Sequence, residues 1–260
     1  MPITIEGKKI IVTGGARGIA SDAVRHFGQE GAAVFVFDVL EDLGQQVAEE
    51  TTAAGPGTAA FRRVDVSKED EVRDAVDFAA REMGGLDAVF NIAAVTAVTM
   101  AEDMTDALWD RLLDVNLKGL SHVCQAAFPH LKERGGSIVN FGSDVGLMDR
   151  PATNIAYGAT KGAIISYTRL LANGWGQYNI RANVVNPLIR TPMYDEFLAD
   201  LSAEQRRAYE DGLKEAVPLG GTMGDGPTDL APVLAFLASD ASKFITSQII
   251  GVNGGLNPAR

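Results

Sequence analysis

The sequence contains few of the residues on which disulfide-bonded or metal-dependent proteins rely. It has a single cysteine, Cys124, which excludes an internal disulfide, and its three histidines are scattered without metal-ligand spacing. We therefore expect no metal site. Basic residues are also scarce, with 23 Lys and Arg against 34 Asp and Glu and a net charge of −11. So acidic a chain repels phosphate backbones and anionic lipid, which argues against nucleic acid or a membrane surface as a partner.

Long apolar runs are lacking as well. The uncharged stretch of residues 88–101 has only 14 residues and includes polar side chains. A membrane-spanning helix needs about 20. The first residues carry an early glutamate and do not show the basic-then-apolar order of a signal peptide. Together with the low cysteine content, these features lead us to expect a cytoplasmic protein.

The composition is otherwise that of a globular protein, with 46% hydrophobic and 22% charged residues. Seven short apolar runs, β-branched or aromatic and bounded by Gly, Asp or Asn, alternate with longer helical patterns. The runs predicted as strands are residues 8–13, 33–38, 59–64, 86–91, 137–141, 180–186 and 249–252. This alternation predicts an α/β protein with a seven-stranded parallel sheet and helices on both faces, a doubly wound, Rossmann-type fold.

Several helical stretches and one irregular stretch complete the predicted organisation. Residues 67–83, 106–131 and 155–175 are predicted as helices, and Ser67 is expected to cap the first of them. No linker or repeat interrupts the pattern, so residues 1–260 are predicted as a single domain. The charge-rich residues 188–226 contain no predicted strand. We interpret them as a substrate lid over the carboxyl edge of the sheet.

A glycine-rich turn follows the first predicted strand. It contains Gly14 and Gly18 within the sequence TGGARGI and leads into a helix. Glycine lets the backbone turn tightly and approach a pyrophosphate, whose charge then lies against the helix N-terminus. The alternative is a glycine-rich turn with no ligand, because such motifs also occur without a nucleotide.

The second predicted strand ends in Asp38, 24 residues after Gly14. A carboxylate at this place can accept both hydroxyls of the adenosine ribose and repels a 2′-phosphate. Arg17 points weakly in the other direction, because a guanidinium nearby could pair with that phosphate. A carboxylate facing a phosphate is penalised directly, whereas Arg17 could simply be solvated. The sequence therefore predicts NAD as the cofactor.

Tyr157 and Lys161 are four residues apart near the start of the predicted helix 155–175. Side chains at this spacing share one helix face. A free tyrosine, with a pKa of about 10, is a poor base at neutral pH, but a nearby ammonium and an oxidised nicotinamide would both lower that pKa. Such a pair suits an alcohol dehydrogenase that works without a metal. A surface pair with no catalytic role is the alternative.

Nearly the whole chain resembles the short-chain dehydrogenase/reductase family. The motifs that carry the resemblance, in chain order, are Thr13-Gly14-x-x-x-Gly18, Asp65, Asn91, Asn116, Ser143, Tyr157-x-x-x-Lys161, Asn186-Pro187, Thr191-Pro192-Met193 and Asn253-Gly254-Gly255. The resemblance implies hydride transfer between the nicotinamide and a secondary alcohol or its ketone.

The resemblance also implies a role for each matching residue. Tyr157 would be the general acid/base, and Lys161 would lower its pKa and bind the nicotinamide ribose. Ser143 would bind the reacting oxygen, and Asn116 would hold a water between Lys161 and solvent. The residues expected at the cofactor are Gly14, Arg17, Gly18, Ile19, Asp38, Asp65, Val66, Asn91, Tyr157, Lys161, Pro187, Ile189 and Thr191.

The substrate pocket is expected to be mostly apolar. The residues expected near it are Ala94, Val95, Val145, Leu147 and Met148. Such a pocket suits a ketone or secondary alcohol on a cyclic or hydrophobic frame, although Arg150 or Arg190 could face a carboxylated substrate. The resemblance further implies a homotetramer, in which the helices 106–131 and 155–175 form one interface and the C-terminal strand packs across a second.

Two other functions compete with an NAD-dependent alcohol dehydrogenase. One is an NADPH-dependent 3-oxoacyl thioester reductase, for which Asp38 is the wrong residue. The other is a nucleotide-binding member of the fold without catalytic activity. It gains some weight because the sequence has Ile92-Ala93-Ala94 where the family has Asn-Ala-Gly, and lacks the glycine usual after Pro187.

Overall fold

A computed structural model describes residues 3–147 and 154–257, apart from the side chain of Met193. Seven strands form one sheet in the order β3-β2-β1-β4-β5-β6-β7, and every neighbouring pair is parallel. The strands are β1 Lys9–Thr13, β2 Ala33–Asp38, β3 Thr58–Arg63, β4 Ala88–Asn91, β5 Gly136–Phe141, β6 Ile180–Pro187 and β7 Ile249–Val252. The predicted fold class is confirmed, and the predicted strand ends differ by two residues at most.

Within the described ranges there are nine α-helices. They are α1 Gly18–Gln29, α2 Glu41–Ala54, α3 Glu69–Met83, α4 Asp106–Leu112, α5 Leu120–Leu131, α6 Ile155–Trp175, α7 Pro192–Ala199, α8 Ala203–Ala216 and α9 Ala231–Ala238. Two π-helical segments, Leu113–Gly119 and Gly226–Leu230, precede α5 and α9. No helix among the described residues is both long and apolar enough to cross a membrane.

The sheet is covered on both faces. Helices α1, α2 and α9 pack on one face and α3, α5 and α6 on the other, each layer enclosing its own apolar cluster. Ile10, Ile11 and Val12 of β1 are therefore all fully buried, although they alternate between the two faces. Burial on both sides is why the strands are continuous apolar runs in the sequence rather than alternating patterns.

Two local predictions were wrong. The helix predicted over residues 106–131 is interrupted by the π-helical segment Leu113–Gly119, where one extra residue enters the turn. Ser67 does not cap α3; its hydroxyl donates to Asp65 Oδ1 at 2.7 Å, and the residue preceding the helix is Lys68. The apolar periodicity of the sequence reveals neither the π-helical turn nor the hydrogen bond between Ser67 and Asp65.

The irregular stretch after β6 contains two helices. Thr191 caps α7 by accepting a hydrogen bond from the N–H of Tyr194, and Pro192 occupies the first turn. Ser202 and Gln205 form a reciprocal capping box at the start of α8. At the base of this stretch Ile189 forms a parallel bridge with Gly224. These helices are the structure of the segment that we interpreted as a lid.

Candidate active site

The site lies where the order of strands in the sheet reverses. From β1 the chain continues outward through β2 and β3, and then returns to β4 on the other side of β1. The loops after β1 and β4 diverge here and leave a crevice at the carboxyl ends of the strands, the usual ligand position in such sheets. Thr13 Oγ1 joins the two loops by accepting the N–H groups of Ile92 and Ala93, each at 3.1 Å.

The glycine-rich turn has the backbone that its sequence predicts. Gly14 has φ +72° and Gly18 has φ +61°, a region that other residues rarely adopt. A Cβ on Gly14 would lie 2.8 Å from Ala93 Cα, whereas a Cβ on Gly18 would meet nothing within 4 Å in the described chain. Gly14 is thus required by the contact with the β4 loop, and Gly18 by its conformation alone.

This difference predicts unequal effects of the two alanine substitutions. We expect Gly18→Ala to lower the free energy of unfolding by about 1 kcal/mol, because only the left-handed conformation is strained. Gly14→Ala adds a backbone collision to that strain and should lower it by about 3 kcal/mol. Urea unfolding followed by circular dichroism measures both. Equal losses would show that the contact with Ala93 is not a constraint.

The N-terminus of α1 presents free amide groups to the crevice. Arg17 precedes the helix with an exposed side chain, which makes no capping hydrogen bond to the described residues, and the first turn contains no acid. Unpaired N–H groups and the helix dipole favour an anion at this position. With Gly14, Gly18 and the half-buried Ile19 around it, this end of the helix fits the pyrophosphate of a dinucleotide.

The carboxylate of Asp38 lies beside that turn, at the end of β2. Its Oδ2 accepts the N–H of Ala16 and its Oδ1 accepts the N–H of Leu40, each at 3.0 Å. The carboxylate is therefore held between the glycine-rich turn and the turn after β2. A half-buried acid in this position fits an adenosine ribose with free hydroxyls better than one that carries a 2′-phosphate.

Asp65 and Val66, expected at the adenine, follow β3 at the same edge of the sheet. Asp65 Oδ1 accepts both the N–H and the hydroxyl of Ser67, and the N–H of Asp65 donates to Glu71 Oε1 at 2.9 Å. The carbonyl of Val66 contacts His122 Nδ1 at 3.1 Å. Their position matches the predicted one, but one oxygen of Asp65 already serves the local turn.

Asn91, expected at the cofactor, turns its side chain into the sheet. Its amide donates to Asn140 Oδ1 at 2.8 Å and to Cys124 Sγ at 3.4 Å, inside the sheet. Asn140 in turn donates to Thr168 Oγ1 on α6. The side chain therefore links β4, β5 and two helices, so only its backbone remains available to a cofactor. The prediction missed this because Asn140 and Cys124 are distant in sequence.

Tyr157 and Ser143 meet at the mouth of the crevice. Ser143 follows β5, Tyr157 lies in the first turn of α6, and the Ser143 hydroxyl lies close enough to the phenol to affect its pKa. Burial raises the pKa of the Tyr157 phenol above its ordinary value of 10.0, and the Ser143 hydroxyl opposes that rise. We predicted that Lys161 would lower this pKa. In the structure the lowering interaction comes from Ser143 instead.

Lys161 lies on the same helix face as Tyr157 and is buried. Its Nζ donates to the carbonyl of Phe141 at 2.7 Å and lies 5.5 Å from the centroid of the Tyr157 ring. Removal from water lowers the pKa of the ammonium to about 8. The structure thus brings Ser143, Tyr157 and Lys161 together, as the spacing and the resemblance predicted.

Asn116 is the fourth predicted catalytic residue, and its side chain forms hydrogen bonds with the backbone of the loop after β4. Its side chain, in the π-helical segment, accepts the N–H of Val95 at 2.8 Å and donates to the Val95 carbonyl at 2.9 Å. It also donates to Thr160 Oγ1 on α6 at 3.2 Å. The amide therefore ties the loop after β4 to the helix of Tyr157 and Lys161, and this is its observed role.

The residues expected beside the nicotinamide lie at the end of β6. Pro187 is the last residue of the strand, Ile189 is buried against Gly224, and Thr191 caps α7. The Thr191 hydroxyl is thus engaged with the N–H of Tyr194. These positions lie on the β6 side of the crevice, opposite the glycine-rich turn.

Several of the residues expected near an apolar substrate pocket lie on the loops that follow β4 and β5. Val145 and Leu147 are exposed beside Ser143, Val95 is half-buried and Ala94 is exposed on the loop after β4. Arg190 forms an ion pair with Asp195, at 2.7 Å, so its charge is partly compensated. Met148 and Arg150 lie outside the described residues.

One polar residue of the site was not found from the sequence. Asp144, directly after Ser143, is buried and accepts a hydrogen bond from Asn253 Nδ2 at 2.8 Å. The only sequence evidence was an acid within an otherwise apolar run. In the described ranges, no group of three or more His, Cys, Asp or Glu side chains could hold a metal ion.

Comparison with known proteins identifies the family. The family model described as enoyl-(acyl carrier protein) reductase matches residues 14–257. A 3-oxoacyl-[acyl-carrier-protein] reductase of Thermotoga maritima is 35% identical over 97% of this chain and 98% of its own length. The chain belongs to the short-chain dehydrogenase/reductase family.

Further relatives in this family differ in their named activities. An L-fucose dehydrogenase of Oryctolagus cuniculus is 37% identical over 96% of this chain and 84% of its own. The solved structure of a short-chain type dehydrogenase/reductase from Mycobacterium ulcerans is 28% identical, covers 97% of this chain and 90% of that one, and superposes with a TM-score of 0.89. As a short-chain dehydrogenase/reductase, the protein is an oxidoreductase of a family that uses nicotinamide nucleotides.

Proposed function

We propose that the protein is an NAD-dependent oxidoreductase that interconverts a secondary alcohol and its ketone. The observation that carries the proposal is the convergence of Ser143 and Tyr157, with the buried Lys161 ammonium 5.5 Å from the centre of the tyrosine ring. These three groups lie beside a crevice that fits a dinucleotide. A bound NAD supplies the hydride acceptor, or in its reduced form the donor, at C4 of the nicotinamide.

The three side chains divide the chemistry among them. Tyr157 takes the hydroxyl proton in the direction of oxidation and returns it to the carbonyl oxygen in reduction. Ser143 donates a hydrogen bond to the reacting oxygen as its charge changes, and its contact with Tyr157 keeps the phenol pKa from rising further. Lys161 places its ammonium 5.5 Å from the centre of the tyrosine ring, where it would bind the hydroxyls of the nicotinamide ribose.

The preference for NAD rests on Asp38. Its carboxylate is fixed by two backbone N–H groups, so it cannot readily turn away from a ligand at the end of β2. Opposite this acid, a 2′-phosphate would place two negative charges together, which costs several kcal/mol. Arg63, its neighbour in the β2–β3 register, has its guanidinium 3.6 Å from Glu71 and is not free to compensate.

The cofactor preference is tested by Asp38→Asn. Removing the charge while keeping the shape should raise kcat/KM for NADP relative to NAD by at least about tenfold. Glu49→Gln is the matched control, because it removes the same charge from the exposed outer side of α2 and should leave the ratio unchanged. Initial rates with both nucleotides measure the effect. A wild-type preference for NADP would overturn the proposed role of Asp38.

The substrate proposal is a small alcohol or ketone on a cyclic or hydrophobic frame. It is supported by the apolar side chains beside Ser143, namely Val145 and Leu147, and by the pairing of Arg190 with Asp195. Similarity to an L-fucose dehydrogenase also fits a cyclic alcohol. A panel of alcohols and ketones, followed by the absorbance of the reduced nicotinamide, identifies the preferred class. Turnover of carboxylated substrates alone would contradict this proposal.

A second function, an NADPH-dependent 3-oxoacyl thioester reductase, is favoured by the similarity to the Thermotoga maritima enzyme. Two features weigh against it in this chain. Asp38 opposes a 2′-phosphate, and the net charge of −11 disfavours any acidic carrier protein as a partner. Reduction of a 3-oxoacyl thioester with NADPH, faster than any alcohol oxidation with NAD, would establish this alternative.

A homotetramer remains a prediction from the family resemblance. Two exposed side chains support it by their positions. Leu170 is 72% exposed on α6, and Phe244, ahead of β7, is fully exposed. They lie on the helix and near the strand that the resemblance assigns to the two interfaces.

A further inference from the structure

Asp144 is a buried acid that the proposed chemistry does not use. It begins a single 3₁₀ turn, Asp144–Gly146, directly after Ser143, and only 6% of it is exposed. Its Oδ2 accepts a hydrogen bond from Asn253 Nδ2 at 2.8 Å. Buried carboxylates are retained where they are hydrogen-bonded in this way.

The hydrogen bond between Asp144 and Asn253 joins two separate segments of the site. Asp144 belongs to the loop after β5, and Asn253 follows β7. Asn253 is itself fixed, because its Oδ1 accepts the N–H of Gly255 at 3.1 Å and its amide also donates to the carbonyl of Asn257 at 3.2 Å. The carboxylate therefore joins the loop after β5 to the residues after β7.

The turn that Asp144 begins also fixes the Ser143 hydroxyl. Ser143 Oγ accepts the N–H of Val145 at 3.3 Å, and the Ser143 carbonyl accepts the N–H of Gly146 at 3.0 Å. On its other side the turn is in close contact with α6, because a Cβ on Gly146 would lie 2.8 Å from the Gly162 nitrogen. The turn is thus held between α6 and the residues after β7.

We propose that Asp144 is a positioning residue, whose hydrogen bond with Asn253 holds the turn that orients the Ser143 hydroxyl toward Tyr157. The inference rests on the proposed function and deepens it. Asp144 does not touch the reacting atoms; it acts through Ser143. The titratable groups that α6 brings near the turn are Tyr157 and Lys161, and the hydrogen-bond partner of Asp144, Asn253, is an uncharged amide.

The proposal predicts a specific kinetic effect of Asp144→Asn. Removing the charge weakens the hydrogen bond that this side chain accepts from Asn253, so the turn loosens and the Ser143 hydroxyl leaves its place beside Tyr157. That hydroxyl lowers the Tyr157 pKa. Therefore kcat for alcohol oxidation should fall by about 10–100-fold, and the pH at which the rate reaches half its maximum should move upward. A residue that only stabilised the fold would not move this pH profile.

The experiment compares Asp144→Asn, Ser143→Ala and the double variant with the wild-type enzyme. Because Asp144 acts through Ser143, its substitution should cause little further loss or pH shift once Ser143 is alanine. Asp87→Asn is the matched control: this half-buried carboxylate accepts the N–H of Lys9 at 2.9 Å, and it precedes β4 at the amino edge of the sheet, away from the site. It should change neither kcat nor the pH profile.

The exchange Asp144→Asn with Asn253→Asp provides a second test. It restores a carboxylate–amide pair with the donor and acceptor reversed, and should recover at least about tenfold of the lost kcat. An unchanged pH profile in Asp144→Asn, with only a lower melting temperature, would overturn the proposal. Additive losses in the double variant would overturn it too. Retained turnover in Ser143→Ala would instead contradict the proposed function itself, so the two failures are distinguishable.

Discussion

Replacement of Tyr157 by phenylalanine is expected to lower turnover by at least about 10²–10⁴-fold while cofactor binding stays nearly unchanged. The substitution removes only the phenolic oxygen, which accepts or donates the proton of the reacting hydroxyl. The ring stays beside Lys161, and the glycine-rich turn and Asp38 are distant in the chain and untouched. Stopped-flow turnover, with fluorescence titration of NADH, separates the two quantities.

Tyr178→Phe is the control for this experiment. Tyr178 lies beyond the other end of α6, is 38% exposed and contacts Phe128 with its ring, so loss of its hydroxyl should leave turnover unchanged. Unchanged turnover in Tyr157→Phe would remove the proposed proton donor. It would also favour the alternative that the protein binds a nucleotide without catalysing a reaction.

The fold could be predicted because its determinants are local. The five inner strands, β1, β2, β4, β5 and β6, are apolar runs buried on both faces, so they remain recognisable without knowledge of their neighbours. The pairing of Tyr157 with Lys161 follows from helix geometry in the same way. The structure confirms that both side chains point to one place, with Lys161 Nζ at 5.5 Å from the tyrosine ring centre.

The polar contacts of the site could not be predicted because their partners are distant in sequence. Asp144 and Asn253 are separated by 109 residues, and Asn91 and Asn140 by 49. Asn116 was assigned to the site by resemblance, but its bonds to the Val95 backbone are visible only in three dimensions. Local patterns predict which groups are polar, and the packing of the strand ends determines what those groups bind.

Lys161 shows a conflict between stability and function. Its ammonium is 3% exposed and donates to the Phe141 carbonyl, and burial lowers its pKa from 10.5 to about 8. At pH 7 the group is still mostly protonated, so the folded protein carries a charge that would be better hydrated in the unfolded chain. Natural proteins accept such costs where the charge serves a site.

Lys161→Met is therefore expected to produce a more stable but nearly inactive protein. Turnover should fall by at least about 10²-fold, because the ammonium that would hold the nicotinamide ribose beside Tyr157 is gone. The lowered pKa of Lys161 corresponds to a loss of about 3 kcal/mol in the free energy of unfolding of the wild type. The variant recovers that loss but gives up the hydrogen bond to Phe141, which stabilises the wild type by about 1 kcal/mol. The free energy of unfolding at pH 7 should rise by about 2 kcal/mol.

The pH dependence of this gain has a definite sign. Below pH 8 the lysine is protonated in both states, and the cost is constant. Between pH 8 and 10.5 the folded state has released its proton while the unfolded state keeps it, so wild-type stability rises relative to the variant. Above that range the proton-dependent cost is gone. The advantage of the methionine variant should therefore be largest at pH 7 and shrink by pH 10.

Urea unfolding of wild type and Lys161→Met at pH 7 and pH 10 measures this difference. Lys132→Met is the control, because that lysine is exposed after α5 and its replacement should change stability by no more than about 0.5 kcal/mol. A Lys161→Met protein that is less stable than the wild type at pH 7 would show that the ammonium contributes to the fold. The burial of Lys161 would then be explained by packing, and its assignment to the reaction would rest on the turnover alone.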